Sequence, residues 1–406
     1  MIEILAAGAL TVAAAGVFLV ALYLTALTLA ALLGRAPVPP AGPAWRRFAI
    51  LIPAHNEAQL IGRMLRHLGQ LDYPADRFDI CVVADNCTDL TALTAIALGA
   101  DVYERADDLR QGKGYALRWL LQQLQEGGRD YDAFVVLDAD SIVSPNFLRR
   151  MDARLEAGSQ VVQAYYSVLN AGESQLTGLR YAALAALHYL RPLGRAALRL
   201  SCGLKGNGMC FSAPLLDRFG WRWFTLAEDV EFHLALVNAG IRVDFAPEAT
   251  VLADMPVSFG QANSQNQRWE QGRLYLLRQW VPGLVIDGLR RLSPLRLDAA
   301  VEQLIPPLSV PFASALVLGF LAAALGAQLA LALAALALVG QVAYLVAGLI
   351  LVHAPFRAYL ALSAAPSYIA WKLALYGQAL ISKQTRWIRT SRGAAAIPPS
   401  TRQPAT

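Results

Sequence analysis

Two aspartates follow a hydrophobic run in VVLDADS (135–141), and such a pair can bind a cation. Asp138 and Asp140 are one residue apart, and like charges this close repel each other unless a cation or a hydrogen-bond network holds them. Carboxylate oxygens are the ligands that Mg²⁺ and Mn²⁺ prefer. The pair is therefore either a divalent-cation site or two solvated loop aspartates that cap the helix starting near Pro145.

A second acidic pair lies in TLAEDVEF, where Glu228 and Asp229 precede a helical pattern (EDVEFHLALVNAG). An aspartate beside a cleft can accept a proton from a hydroxyl group, which is general-base catalysis. Acidic residues at a helix N-terminus also interact favourably with the helix dipole, by a few tenths to about 1 kcal/mol. The sequence leaves both interpretations open for this pair.

The third group is a QxxRW pattern in SQNQRWEQGR (264–273), formed by Gln265, Arg268 and Trp269. Residues three and four apart share one face of a helix. A guanidinium binds phosphate oxygens as a fork and an indole can stack on a sugar ring, so this face could hold a sugar diphosphate. The alternative is a surface helix with a half-buried tryptophan.

Three apolar runs are predicted to be β-strands, and each ends in polar residues or proline: FAILIP (48–53), FDICVVAD (78–85) and FVVLDAD (134–140). The segments between them carry apolar residues at spacings of three and four, as helices do. Alternating strands and helices predict an α/β domain whose parallel sheet has helices on both faces. Ligands of such sheets bind beyond the carboxyl ends of the strands, so Glu57, Asp85 and Asp140 are expected in one crevice.

The composition indicates membrane segments beside this domain. Apolar residues make up 56% and charged residues 16% of 406, and residues 4–34 and 303–352 contain no charged side chain. A helix rises about 1.5 Å per residue and the hydrocarbon core is about 30 Å thick, so roughly 20 residues cross it. The first run predicts one span and the second two. A cleaved signal peptide is disfavoured because the apolar run is too long and begins after an acidic residue.

Arginines flank both runs on the side of the central segment, which predicts a cytoplasmic domain on a multi-pass protein of the inner membrane. The segment at 174–200 carries arginines on an apolar helix, which is typical either of a helix in the membrane interface or of an amphipathic helix packed on the sheet. The predicted parts are an anchor (1–35), the α/β domain with the interfacial helix (36–298), two spans (299–353), an interfacial helix rather than a further span (354–390) and a flexible tail (391–406).

The charge and the spacing of the cysteines argue against a nucleic-acid-binding protein and against a zinc site. The net charge of +5 matches attraction to anionic lipid headgroups, and there is no basic run with interleaved aromatics that would predict nucleic-acid binding. The four cysteines fit no zinc spacing and are expected to be reduced thiols.

The order of the motifs IPAHNE, ADNCTD, LDAD, AEDVEF and QNQRW resembles the membrane-bound family 2 glycosyltransferases, which have a GT-A fold. Cellulose, chitin and hyaluronan synthases and ceramide glucosyltransferase are members of that group. The resemblance covers about residues 47–290, and the flanking apolar runs also match. Five motifs in this order are much more specific than any one of them.

The resemblance implies a role for each motif residue. Asp229 would be the catalytic base, and Glu228 would shape the acceptor side. Asp140 would ligate a divalent metal, Mg²⁺ or Mn²⁺. The nucleotide would contact Pro53, Ala54, Glu57 and Asp85. The diphosphate, ribose or donor sugar would contact Lys113 and Asp138. The diphosphate and the acceptor would contact Gln265, Arg268 and Trp269. Residues 206–212 would border the acceptor channel.

The resemblance implies an inverting, metal-dependent hexosyltransferase that moves a sugar from a nucleotide-sugar donor, expected to be a UDP-sugar, and forms a β-linkage. The acceptor is expected to be lipid-linked or a glycan. Two alternatives remain open: a processive synthase of an extracellular polysaccharide, and a catalytically silent membrane scaffold. The oligomeric state is not predicted by any of these patterns.

Overall fold

The computed structural model describes residues 2–34, 38–40, 42–43 and 45–381. The predicted flexible tail at 391–406 and the end of the predicted interfacial segment therefore lie outside the described residues. One mixed sheet of eight strands forms the centre of the protein. The strands are β1 (Phe48–Ala54), β2 (Phe78–Asp85), β3 (Asp101–Arg105), β4 (Ala133–Val136), β5 (Ser141–Val143), β6 (Val161–Val168), β7 (Met209–Ser212) and β8 (Asp244–Ala253).

Helices cover the sheet and continue into a bundle beside it. Those of the α/β part are α2 (Ile61–Leu68), α3 (Thr91–Ala97), α4 (Lys113–Glu126), α5 (Phe147–Glu156), α6 (Gln175–Leu184), α7 (Arg191–Ala197), α8 (Ala213–Phe219), α9 (Glu228–Asn238) and α10 (Phe259–Arg290). The others are α1 (Ile2–Leu33), α11 (Pro294–Leu304), α12 (Ser309–Ala324), α13 (Gln328–Leu351), α14 (Phe356–Leu360) and α15 (Ala365–Ile381). A π-helical turn, Ala185–Leu190, joins α6 to α7.

The strand order is β3-β2-β1-β4-β7-β6-β8-β5. The pairs among β3, β2, β1 and β4 are parallel, and these include the three strands predicted from the sequence. The predicted parallel sheet is confirmed for these strands, and the remainder of the sheet is mixed: β7 runs antiparallel to both β4 and β6, β5 runs antiparallel to β8, and β6 runs parallel to β8. Between β6 and β7 the chain passes through α6, the π-helical turn and α7, and it enters β7 from a glycine-containing loop, GLKGNG (203–208).

Both faces of the sheet are buried, as expected from its continuous apolar strands. In β1, Ile50 and Ile52 point to the face covered by α2 and α5, and Ala49 and Leu51 point to the face covered by α4, α8 and α9. This alternation follows from the two-residue repeat of a strand. The sheet is thus fixed from both sides, and the carboxyl ends of β1, β2 and β4 open toward the same edge.

Two helices are long and apolar enough to cross a membrane, Glu3–Leu33 and Gln328–Leu351. α1 packs against α12 and α13. Of the two spans predicted in 299–353, one corresponds to α13, and the other apolar segment is divided. It forms α11 and α12, which meet at a 68° bend and are long and apolar enough to cross a membrane only as a pair. Two consecutive prolines at the bend, Pro306 and Pro307, interrupt the helical hydrogen bonds.

A buried ion network joins the first helix to the rest of the protein. Arg195 is fully buried and pairs with Asp298 (Nε to Oδ2, 2.9 Å) and Glu302 (Nη1 to Oε2, 2.6 Å) of α11. Its Nη2 also donates to the hydroxyl of Tyr23 in α1, which in turn donates to Asp298 Oδ1 over 2.7 Å. α1, α7 and α11 therefore share one set of polar contacts.

The segment predicted as an interfacial helix at 174–200 forms α6, the π turn and α7. It packs against β6 on one side and against α1, α13 and α15 on the other. Arg180, Arg191 and Arg195 are buried, whereas Arg199 is exposed. The expected cationic face toward lipid headgroups is thus wrong for three of the four arginines, because neighbouring helices cover them.

The segment after α13 folds back onto the α/β part. α15 packs on α10, where Lys372 Nζ lies 3.1 Å from Glu270 Oε1 and the Trp371 indole donates to Asn263 Oδ1 over 2.7 Å. Both Lys372 and Glu270 are buried. α15 thereby covers the helix that carries the QxxRW residues.

Candidate active site

One cavity of about 830 Å³ lies between the open edge of the sheet and the helices that carry the later motifs. All twelve residues predicted to bind or react line it: Pro53, Ala54, Glu57, Asp85, Lys113, Asp138, Asp140, Glu228, Asp229, Gln265, Arg268 and Trp269. The structure thus brings together residues that are up to about 215 positions apart in the sequence. Their individual roles stay predictions.

The wall formed by the ends of β1, β2 and β4 and the start of α4 is called the sheet side. Here the Asp85 carboxylate lies 2.5 Å from the Arg105 guanidinium of β3, and both side chains are buried. Burial raises the pKa of Asp85, and Arg105 opposes this rise. Arg105 also binds Asp107 over 2.9 Å. Arg105 was not predicted from the sequence, because it belongs to no motif.

Lys113 is the first residue of α4 and reaches across the sheet side to Asp138, with its Nζ 2.5 Å from Oδ1. The same ammonium donates to the carbonyl of Gly206. Gly112 before it has a φ of +116°, a conformation that side chains other than glycine rarely adopt. Burial lowers the pKa of Lys113, but Asp138 and Glu228 outweigh it and raise the pKa. The lysine therefore stays charged beside the aspartate pair.

A buried asparagine, Asn207, fixes the turn that carries this pair. Its Oδ1 accepts from the backbone N–H of Asp138 over 3.1 Å, and its Nδ2 donates to the Ser141 hydroxyl over 2.8 Å. Asn207 is fully buried. It lies within the stretch that the resemblance placed at the acceptor channel, and the structure shows it holding the aspartate turn.

Glu228 and Asp229 are the first two residues of α9, so the N-terminal position considered in the sequence analysis is present. Both also line the cavity. Burial and the neighbouring Asp229 raise the pKa of Glu228 to about 7, and burial raises the pKa of Asp229. A methyl group on Gly206 would lie 3.2 Å from Asp229 Oδ2, so the glycine lets this loop approach the carboxylate. The two interpretations of this pair, acids at a helix N-terminus and carboxylates in a cleft, are therefore compatible.

Gln265, Arg268 and Trp269 lie in α10 on the opposite wall, and the indole is 39% exposed toward the cavity opening. Gln265 accepts a hydrogen bond from Arg180 Nη1 over 3.1 Å. The Arg180 guanidinium also lies 5.7 Å from the Trp269 ring centroid. Arg180 thus extends the QxxRW group, although only its cationic helix pattern was noticed in the sequence.

The wall beside these residues is called the helical side. It consists of Arg180, Leu184 and Leu187 from α6 and the π turn and of Ile305, Pro306, Pro307 and Leu308 from the bend before α12. Arg191, Glu302 and Gln303 line the cavity beside these groups, so the wall at the base of the apolar helices combines apolar and charged side chains.

The aspartate pair fits only one mode of metal binding. Among residues 2–34, 38–40, 42–43 and 45–381, no group of three or more His, Cys, Asp or Glu is arranged to hold a metal ion. Asp138 and Asp140 both line the cavity, however. Mg²⁺ often binds through one or two carboxylates together with substrate phosphates and waters. The donor set fits a cation shared with a diphosphate, not a site of protein ligands alone.

A solved structure shares this fold. The mannosyltransferase PcManGT from Pyrobaculum calidifontis, in complex with GDP-Man and Mn²⁺, matches with a TM-score of 0.52 over 95% of this chain and 100% of its own. At 21% identity, this likeness concerns the fold alone. The predicted α/β GT-A fold is thereby confirmed, together with apolar helices near both ends of the chain.

Known sequences are similar mainly over the sheet and the motifs. The chain is 24% identical over 257 residues to the probable glycosyltransferase YdaM of Bacillus subtilis and covers 60% of that protein. It is 28% identical over 238 residues to the beta-monoglucosyldiacylglycerol synthase of Synechocystis and covers 47% of it. These matches span 59% and 55% of this chain. The family model for glycosyltransferase like family 2 matches residues 43–272, more than half of the sequence, and this chain therefore belongs to that family.

Proposed function

We propose that the protein is an inverting glycosyltransferase that moves a hexose from a nucleotide-sugar donor to the hydroxyl group of a lipid-linked or glycan acceptor at a membrane. The single observation that carries this proposal is the shared cavity. It unites a carboxylate able to act as a base, Asp229, with two aspartates beside a lysine and with the arginine of the QxxRW helix. The complex of PcManGT with GDP-Man and Mn²⁺ supports a nucleotide-sugar donor.

The donor is expected to bind on the sheet side. Pro53, Ala54 and Glu57 would contact the nucleotide, and Asp85 would accept hydrogen bonds from the base while Arg105 holds its carboxylate. Lys113 and Arg268 supply positive charge for the diphosphate, whose negative charge grows as it leaves. A divalent cation held by Asp140, with Asp138 nearby, would neutralise the same charge when bound.

Transfer would proceed by one displacement. The acceptor hydroxyl oxygen forms a bond to the anomeric carbon while the bond from that carbon to the diphosphate oxygen breaks, and Asp229 takes the hydroxyl proton. A nucleoside diphosphate leaves, and the configuration of the anomeric carbon inverts, so an α-linked donor gives a β-linked product. Glu228, with its raised pKa, is expected to be partly protonated near neutral pH and to donate a hydrogen bond on the acceptor side.

The acceptor is expected to enter from the membrane. Two helices, α1 and α13, are long and apolar enough to span it, and the helical side ends at the bend before α12, which packs on both of them. The flanking arginines favour a cytoplasmic catalytic part on a multi-pass protein of the inner membrane. A relative named beta-monoglucosyldiacylglycerol synthase supports a glycolipid product, which favours a single addition over polymer synthesis.

A donor screen tests the proposal. The full chain would be purified in detergent, supplied with membrane lipid extract and incubated with UDP-, GDP- or dTDP-sugars and Mn²⁺ or Mg²⁺. We expect one donor to release nucleotide in a lipid-dependent way and to label a single lipid product. A ladder of products would instead identify a processive synthase, and the absence of release with every donor would contradict the proposal.

A further inference from the structure

Arg180 is a buried cation whose hydrogen-bonding capacity is only partly used. It is 5% exposed, and its Nη1 donates to Gln265 Oε1 at 3.1 Å and to the Met255 sulfur at 3.5 Å. Among the described residues, its Nε and Nη2 have no hydrogen-bond partner. Within the part of the chain that the structure describes, no carboxylate pairs with this guanidinium.

Another buried arginine shows what such a group normally requires. Arg195 is fully buried and pairs with both Asp298 and Glu302. A buried charge without a partner is strongly unfavourable, and an anion that pairs with it removes that cost. Burial lowers the pKa of Arg180, which is the expected sign of an uncompensated cation. Unlike Arg195, Arg180 therefore has the capacity to pair with an anion from outside the chain.

The unused atoms have the geometry of an anion clamp. Nε and Nη2 form one edge of the guanidinium, with two parallel N–H groups that match the spacing of oxygens in a phosphate or carboxylate. Elsewhere in this protein, Arg149 uses this same edge to hold Asp72, over 2.8 Å and 3.1 Å. The edge that Arg180 leaves unbonded is therefore the one suited to bidentate binding.

The position of Arg180 indicates which anion would bind. The guanidinium lies between Gln265 and Trp269 at the cavity wall, and the next helical turns present Leu184 and Leu187. Prolines 306 and 307 and Leu308 line the cavity nearby, just before α12 begins. Apolar groups of this kind suit a hydrocarbon chain rather than a nucleotide. A donor diphosphate already has Lys113 on the sheet side.

We propose that Arg180 is a specificity-determining residue that binds an anionic headgroup, a phosphate or carboxylate, of the acceptor lipid. This inference rests on the proposed function and narrows its acceptor to a negatively charged lipid whose acyl chain lies along the helical side. The lipid would enter at the bend between α11 and α12. Its anionic group would pair with Nε and Nη2 and so hold the acceptor hydroxyl near Asp229.

Ligand binding tests the proposal without turnover. The full-length protein in detergent would be titrated with dioctanoyl phosphatidate, with dioctanoylglycerol as the uncharged lipid, with inorganic phosphate, and with UDP or GDP in the presence of Mn²⁺. We expect phosphatidate to bind more tightly than dioctanoylglycerol and inorganic phosphate. Arg180→Gln should raise the Kd for phosphatidate at least tenfold and leave the Kd for dioctanoylglycerol unchanged. The control Arg199→Gln, an exposed arginine of the same segment, should change neither.

Thermal unfolding separates binding from a structural role. Because Arg180→Gln removes an uncompensated charge, its Tm without ligand should equal or exceed that of the wild type, whereas loss of a structural arginine would lower it. Unchanged phosphatidate binding in Arg180→Gln overturns the proposal. If the protein binds inorganic phosphate as tightly as phosphatidate, the proposal that the anion belongs to a lipid is overturned. If Arg180→Gln loses UDP and GDP binding, Arg180 contacts the donor and not the acceptor. Failure of the donor screen with intact lipid binding would count against the proposed function alone.

Discussion

On the sheet side of the cavity, charged groups lie in short ion pairs, whereas the buried guanidinium of Arg180 on the helical side has no carboxylate partner within the described part of the chain. Lys113 contacts Asp138 and Arg105 contacts Asp85, each over 2.5 Å. Arg180, by contrast, has no ion pair among the described residues. Both walls thus contain a buried arginine, but among the described residues only the one on the sheet side is paired with a carboxylate.

This difference indicates how each wall can respond to a ligand. On the sheet side, a donor would compete with the existing ion pairs, and its polar groups would replace contacts that the side chains already make with each other. We therefore expect donor binding to change the stability of the protein little. On the helical side, an anion would add hydrogen bonds at Nε and Nη2 of Arg180, which have no partner among the described residues, and its binding should stabilise the protein. The comparison can be tested by removing charges from each wall in turn.

The largest expected effect comes from the carboxylate between the two walls. Asp229→Asn should reduce sugar transfer by about 1000-fold, because a positioned base contributes about 10²–10⁴-fold. Nucleotide binding should remain within about threefold, since this substitution removes no group that contacts the donor. The measurement is product formation beside UDP or GDP binding, with Asp217→Asn, an exposed residue of α8, as the control. Transfer within tenfold of wild type would exclude Asp229 as the base.

Removing the cation of the sheet side should have the next largest effect. Lys113→Met should lower kcat/KM by about 100-fold, because a preorganised charge beside the leaving group contributes about 10²–10³-fold. Arg118→Met changes the same charge on an exposed position of the same helix and should have little effect. Equal losses in both variants would mean that the ion pair with Asp138 is structural only.

The asparagine beneath the aspartate turn should affect stability more than chemistry. Asn207→Ala leaves the N–H of Asp138 without its acceptor, which costs about 1–3 kcal/mol for a buried group, and the Ser141 hydroxyl keeps only its bond to Asp140. A lower Tm with only a modest fall in kcat/KM is expected. Asn238→Ala, at the exposed end of α9, should leave Tm nearly unchanged. A wild-type Tm in Asn207→Ala would contradict this role.

The smallest expected effect is a pH dependence of stability at Glu228. Its pKa is raised from 4.5 to about 7, so the folded protein binds a proton that the unfolded chain releases in that range. Stability should therefore fall as pH rises from about 4.5 to 7. Glu228→Gln removes this loss, and its Tm relative to wild type should grow by on the order of a few degrees between pH 5 and pH 8.

Glu104→Gln, an exposed change on β3, provides the baseline for that comparison. A Tm difference that is constant with pH would show that Glu228 is ionised throughout. Asp229 should add a related effect on activity: because burial raises its pKa, transfer should decline as pH falls and the base becomes protonated. A rate that increases toward acidic pH would contradict its role.

The parallel part of the sheet could be predicted because its strands are buried on both faces and read as continuous apolar runs. The predicted strand at 78–85 coincides with β2. The antiparallel part was missed because β7 has only four residues and follows a glycine-rich loop that gives no strand pattern. Short strands of this kind depend on pairing with distant neighbours, which the local sequence does not encode.

Some residues of the candidate site could likewise be predicted from the sequence, and others could not. Acidic and QxxRW residues belong to recognisable motifs, and the structure places all of them along one cavity. Arg105 and Arg180 belong to none of the motifs, and Asn207 lies in the stretch expected at the acceptor channel, so only their contacts reveal what these residues hold. The helix with Arg180 has the composition of a membrane-surface helix. Its burial depends on α13 and α15, which come more than 140 residues later.

The hydroxyl of Tyr23 has a practical consequence for anyone who wishes to work with a water-soluble fragment. It sits between Arg195 and Asp298, so the first helix supplies a polar contact that the remainder of the chain cannot replace. Deleting that helix would leave the guanidinium and the carboxylate without this hydroxyl and would uncover the apolar faces of α12 and α13 that pack on it. Shortened versions should therefore aggregate, and changing Arg195 and Asp298 to apolar residues would not prevent this, because Glu302 would lose its ion pair with Arg195. Detergent-solubilised whole protein is the sounder starting material.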